Sequence, residues 1–190
     1  MKRWIPNSLT VLRFLLVPVF LYYVFVSVDP QRVSVALLVF VIASFTDYLD
    51  GMLARRLNVV SDFGKIMDPL ADKLLVLSAL AGLCWLPPFY ISKLVFFIIL
   101  FRELLITILR ELYHRKGIVV AADVFGKVKT VMQMTGIIAA FALWVFMAEI
   151  PSYIHLAVDI WFAIVALLTV YSGLNYLQPI QKTSLKGDEE

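Results

Sequence analysis

Four aspartates stand at fixed intervals in one short stretch: Asp47-x-x-Asp50-Gly51-x-x-Ala54-Arg55, eight further residues, then Gly64-x-x-x-Asp68-x-x-x-Asp72. On a helix, Asp47, Asp50 and Ala54 fall at i, i+3 and i+7, and Gly64, Asp68 and Asp72 at i, i+4 and i+8, so each set shares a face. A short turn between the two helices lets the faces meet. Four carboxylates gathered at one point form an all-oxygen donor set, which suits a hard divalent cation such as Mg²⁺ or Mn²⁺. Gly51 and Gly64 let a bulky group come close to the backbone, and Ala54 leaves room on the same face.

The surroundings sharpen that reading. The 190-residue chain is 62% hydrophobic and 16% charged, with a mean hydropathy of +0.89, far outside the range of soluble domains. At membrane depth each carboxylate costs roughly 2.5 to 3.5 kcal/mol, so four of them need partners. Apolar segments long enough to cross a bilayer run over about 8–28, 31–57, 66–86, 90–115, 124–148 and 152–177. They predict an all-α bundle of six transmembrane helices, a single membrane domain over 1–180 and a polar, disordered cytoplasmic tail over 181–190. Asp29-Pro30, Pro87-Pro88, Lys116-Gly117 and Pro151-Ser152 punctuate the segments. Basic residues crowd one side: Lys2, Arg3, Arg55, Arg56, Lys65, His114, Arg115, Lys116, Lys127, Lys129, Lys182 and Lys186, against Arg32 and Lys93 on the other. Both termini and the aspartates are therefore expected at the cytoplasmic face. The apolar run near the start is too long for a cleaved leader and reads as a retained first span. Cys84 is the only cysteine, which excludes an internal disulfide and a cysteine metal cluster. The net charge of +3 follows the topology rule, so anionic lipid and phosphorylated substrates, not nucleic acid, are the expected partners.

Two divalent cations held by carboxylates would clamp a pyrophosphate and stabilise charge on the attacking and leaving oxygens of a phosphoryl displacement. Arg55 and Lys73 would add to that field, and a carboxylate beside the cations could act as general base toward an alcohol. The same spacing also admits buried ion pairs closing a helical bundle, or a cation pathway in a transporter.

The complete pattern of four aspartates, two glycines, alanine and arginine resembles the signature of the CDP-alcohol phosphotransferase family. The resemblance implies an integral membrane enzyme with six transmembrane helices, a homodimer, that moves a phosphatidyl or related group from a CDP-linked donor to an alcohol and releases CMP. It implies that Asp47, Asp50 and Asp68 ligate the cations. Asp72 lies beside them as the base, and Gly51, Ala54, Arg55 and Gly64 line the CDP site.

The acceptor must be read from elsewhere. Arg102-Glu103 and Arg110-Glu111 lie in the fourth segment, and Gly126-Lys127-Val128-Lys129-Thr130-x-x-Gln133 opens the fifth. Arginine pairs with two phosphate oxygens and lysine adds a point charge. Arg102, Arg110, Lys127 and Lys129 therefore point to an acceptor that carries phosphate, glycerol 3-phosphate above all. Ile5-Pro6-Asn7-x-Leu9-Thr10-x-x-Arg13, Phe101-Arg102-Glu103, Leu109-Arg110-Glu111 and Gly126 to Thr130 are similar to the bacterial branch of the family that uses this acceptor. That implies phosphatidyl transfer from CDP-diacylglycerol in a bacterial cytoplasmic membrane, as a step of phospholipid biosynthesis. Phosphatidylglycerol, serine and inositol phosphate stay open as acceptors, as does a non-enzymatic cation carrier. The lysines also fit plain positive-inside anchors, and Arg102 also fits a residue that neutralises Glu103.

Asn7, Thr10 and Arg13 open the first segment level with the aspartates. They suit either contact with the nucleotide or helix capping. Asp123 reads as a helix cap, His114 and His155 as interfacial residues, and Trp4, Trp85, Trp144 and Trp161 as belt or packing residues.

Overall fold

The computed structural model describes the backbone of residues 4–57, 62–115 and 124–187, and the side chains of 11–47, 52, 70–113 and 124–176. Among these residues the chain is all-helical: α1 (Trp4–Leu21), a π-helical turn (Tyr22–Val26), α2 (Arg32–Leu57), α3 (Asp62–Trp85), α4 (Lys93–Arg115), α5 (Val124–Phe146) and α6 (Ser152–Gly187). The limits follow the apolar segments closely, with one correction. Residues 181–187, expected as a disordered tail, continue α6, because none of Gln181 to Lys186 is glycine or proline.

Local chemistry explains the first break. Pro18 lies inside α1 and deprives it of one backbone donor. A wider turn follows, closed by the Ser27 N–H donating to the Tyr22 carbonyl at 2.9 Å. Asp29 then starts α2: its Oδ1 accepts from the Gln31 N–H at 2.7 Å and its carbonyl from the Arg32 N–H at 3.0 Å. Arg32 reaches back, donating from Nη1 to the carbonyls of Val24 and Ser27, which the ended helix leaves without N–H partners.

The chain divides into two compact units, one of residues 1–88 and 137–150, the other of 89–136 and 151–190. In the first, α1, α2 and α3 pack mutually around Phe20, whose ring lies 5.9 Å from both Phe40 and Phe141. Ala36, Ala43, Ala71 and Ala79 are buried at these contacts, and such small side chains let helix backbones approach. Gly82 serves the same end, since a Cβ there would stand 2.8 Å from Val24 Cγ1.

In the second unit α4 packs on α6 through Ile99, Ile106, Phe162, Val165 and Ala166, all buried. Around α4 the usual distribution is reversed in part. Leu94, Phe101 and Ile108, at i, i+7 and i+14, are exposed, whereas Arg102 and Glu103 keep side-chain exposures of 16% and 17%. A helix that turns leucine and phenylalanine outward and charge inward is suited to lipid, where apolar surface costs nothing and charge must find protein partners. Val124–Phe146 and Ser152–Tyr176 are each long and apolar enough to cross a membrane, with 33% and 28% of their apolar windows buried, and Val11–Val26 is a shorter apolar helix. The greater number of charged residues in α2, α3 and α4 sets those helices apart from α5 and α6.

Candidate active site

The aspartate pattern spans two helices that pack against each other. Asp47, Asp50, Gly51, Ala54 and Arg55 lie on α2, and Gly64, Asp68 and Asp72 on α3. Both stretches are continuous helix, so the i, i+3 and i, i+4 relations hold as helical registers. Of the four carboxylates, those of Asp47 and Asp72 are described. The side chains of Asp50, Asp68, Gly51, Ala54, Arg55, Gly64, Asn7 and Thr10 lie outside the described residues, as does Asp123.

Asp47 is anchored. Arg13, fully buried on α1, places Nη1 2.7 Å from Asp47 Oδ1, while the Asp47 side chain keeps 44% of its surface exposed. One partner is thus sealed in protein and the other faces outward. A buried guanidinium in direct contact gives this carboxylate a fixed counter-charge. The next residue toward α1 on that helix, Thr46, is buried and satisfied by its own helix, its Oγ1 donating to the Ala43 carbonyl at 2.8 Å. On α3, Asp72 and Lys73 are half-buried beside buried Ala71. The donor set fits divalent cations by chemistry: it is all carboxylate, it lies on two packed helices, and one member is fixed by a buried arginine.

The second unit holds a separate polar cluster. Glu103 Oε1 accepts from Lys129 Nζ and from Arg102 Nη1, the latter at 3.3 Å. Arg102 Nη2 in turn donates to Ser172 Oγ at 2.7 Å. Lys129 lies on α5, Arg102 and Glu103 on α4, and Ser172 on α6, so one chain of polar contacts ties three helices. Gly126 admits the approach, for a Cβ there would meet Ser172 Oγ at 3.4 Å and Arg102 Nη2 at 3.5 Å. Arg102 Nε is buried and has no acceptor among the described residues, a donor that a phosphate oxygen would satisfy.

The four cations expected to bind acceptor phosphate therefore separate. Arg102 and Lys129 join one cluster, and Lys129 is buried, which rules out a plain interfacial anchor for it. Lys127 and Arg110 are exposed. Residues two apart on a helix point to opposite sides, so Lys127 and Lys129 cannot both face Glu103. The pairing of Arg102 with Glu103 is present, but the same oxygen also takes Lys129.

Sequence reasoning missed Ser172 and Tyr176, and named Gln133 only as part of the motif that opens the fifth segment. Gln133 is buried one turn beyond Lys129, and Thr169, Ser172 and Tyr176 form a buried polar stripe on α6. The Tyr176 hydroxyl has no hydrogen-bond partner among the described residues. His155 packs its ring edge-on to Phe89 at 5.6 Å, and Trp161 donates to the Met132 carbonyl at 3.0 Å; both are packing roles.

Residues 3–172 match the family model for CDP-alcohol phosphatidyltransferase. A probable phosphatidylglycerophosphate synthase of Mycobacterium tuberculosis is 38% identical over 177 residues, covering 91% of this chain and 79% of its own. The CDP-diacylglycerol–glycerol-3-phosphate 3-phosphatidyltransferase of Bacillus subtilis is 36% identical over 185 residues, covering 90% and 92%. The enzyme of the same name from Rickettsia bellii is 35% identical over 182 residues, covering 94% and 96%.

Proposed function

The chain belongs to the CDP-alcohol phosphatidyltransferase family, and on that premise we propose that it transfers a phosphatidyl group from CDP-diacylglycerol to sn-glycerol 3-phosphate, forming phosphatidylglycerophosphate and CMP. Support comes first from relatives that carry this activity in their names and align over nearly their whole length. The single structural observation that carries the reading is the complete aspartate pattern on packed α2 and α3, with Asp47 held by buried Arg13.

In this reading Asp47, Asp50, Asp68 and Asp72 hold two divalent cations, Mg²⁺ or Mn²⁺, which when bound neutralise the donor pyrophosphate and stabilise charge on the attacking and leaving oxygens. Asp72 takes the proton from the acceptor hydroxyl. The hydroxyl oxygen then bonds to the lipid-side phosphorus as the bond from that phosphorus to the CMP oxygen breaks. Asn7, Thr10, Gly51, Ala54, Arg55 and Gly64 bind the CDP end. Arg102 and Lys129, which share one cluster, select an acceptor that carries phosphate, with Arg110 and Lys127 adding positive charge from outside it, and arginine provides the paired donors that discriminate phosphate from a neutral alcohol.

All six helices cross the bilayer in this reading. Both termini and the reaction lie on the cytoplasmic side of a bacterial membrane, and the enzyme works as a homodimer. The outward leucines and phenylalanines of α4 and the apolar spans of α5 and α6 support the embedding.

The test is purified protein with CDP-diacylglycerol, Mg²⁺ and a panel of acceptors, with CMP release as the readout. Glycerol 3-phosphate should release CMP, and serine, inositol phosphate and phosphatidylglycerol should not. Release with one of those acceptors instead would reassign the substrate. No release with any of them would favour a bundle that conducts cations.

A further inference from the structure

We propose that Glu103 is the positioning residue of the acceptor-phosphate site, a single carboxylate oxygen that gathers Lys129 and Arg102 from two helices into one phosphate-binding arrangement. The inference rests on the reading of those two cations as acceptor ligands.

Three observations carry it. Both cations meet the same atom, Glu103 Oε1, although Lys129 belongs to α5 and Arg102 to α4. Lys129 has a side-chain exposure of only 2%, so its charge depends on a counter-charge inside the protein. Arg102 is fixed from its other side by Ser172 and still keeps Nε buried with no acceptor among the described residues. Arg102, Glu103 and Lys129 set two cations against one carboxylate, and neither cation stands alone.

Two opposite effects compete when the carboxylate is neutralised. Removing a negative charge would strengthen the field on an incoming phosphate. Against this, an ammonium so deeply buried loses a counter-charge that holds it in place. With Lys129 nearly sealed from solvent, the second effect dominates. Glu103→Gln should therefore weaken acceptor binding.

Steady-state kinetics in detergent micelles on Glu103→Gln, Glu103→Asp, Lys129→Met and the double variant Glu103→Gln/Lys129→Met tests this. Glu103→Gln should raise KM for glycerol 3-phosphate at least about tenfold, the scale of one charge-assisted hydrogen bond. KM for CDP-diacylglycerol and kcat at saturating acceptor should stay within about threefold of the parent, below that scale. Glu103→Asp keeps the charge on a shorter arm and should recover part of the loss. If Glu103 acts through Lys129 and Arg102, the double variant should fall short of the product of the two single penalties, and penalties that multiply in full would overturn the proposal. An unchanged or lowered KM for glycerol 3-phosphate in Glu103→Gln, or an equal rise for both substrates, would also overturn it. Should Glu103→Gln not fold, Glu103→Asp takes its place, alone and combined with Lys129→Met, and decides the matter by the same criteria. Lys129→Met separates the two levels: if it leaves KM for glycerol 3-phosphate unchanged, the acceptor-site reading itself fails. If it raises KM and Glu103→Gln does not, only the role of Glu103 fails.

Discussion

Arg13 on α1 meets Asp47 on α2 at 2.7 Å, with the arginine fully buried and the aspartate 44% exposed. The pair joins the first helix to the helix that opens the aspartate pattern. Its asymmetry suits a positioning role, since the cation cannot leave and the carboxylate stays reachable from outside. Arg13, read from the sequence as a contact for nucleotide or phosphate or as a capping residue, is in this structure committed to an aspartate.

Replacing Arg13 by Met should therefore lower both stability and cation affinity. Breaking a fully buried ion pair costs about 3–5 kcal/mol. With Asp47 partly exposed and solvent-screened, about 1–3 kcal/mol is expected here. Thermal unfolding in detergent checks the first effect, and the Mg²⁺ concentration for half-maximal CMP release checks the second. Arg13→Lys, which keeps the charge, should restore part of both.

Asp72→Asn should remove the base and keep the shape. Turnover should drop by about 10²- to 10⁴-fold, the usual range for a positioned general base, while binding of CDP-diacylglycerol changes only slightly. Single-turnover CMP release and equilibrium donor binding give the two numbers. Near-parental turnover in Asp72→Asn would remove it from that role.

Gly136→Ala tests the packing of α5 on α6. An added Cβ would run into the Trp161 indole, and overpacking of this kind costs about 1–3 kcal/mol. The melting temperature should fall, and adding Trp161→Leu in the same chain should recover much of it. A Gly136→Ala variant as stable as the parent would mean that the indole moves aside freely.

The sequence disclosed the helices and the chemistry unequally. Aspartate spacing is a linear signal, and helical register on α2 and α3 preserves it, so the pattern was readable at once. Helix limits were readable where Asp29-Pro30 and Pro151-Ser152 interrupt apolar runs, and less so after Gln181, where polarity alone does not end a helix. Arg13 and Asp47 meet through tertiary packing, which no spacing encodes. The division between Lys127 and Lys129 did have a signal: Gly126, Lys129, Gln133 and Gly136 recur at helical intervals and mark the inward face of α5. Ser172 had a weaker one, because Thr169, Ser172 and Tyr176 continue the buried stripe of Val158, Phe162 and Val165. Against so apolar a helix, a single serine looks neutral until its arginine partner is seen.

The most direct test of the central claim is counting Mn²⁺ bound to purified protein by electron paramagnetic resonance, in the presence of CDP-diacylglycerol. The account predicts two ions per chain, with the count falling in Asp50→Asn and again in Asp50→Asn/Asp68→Asn, and donor binding falling with it. An unchanged count in the double variant, or donor binding indifferent to the ion, would contradict it.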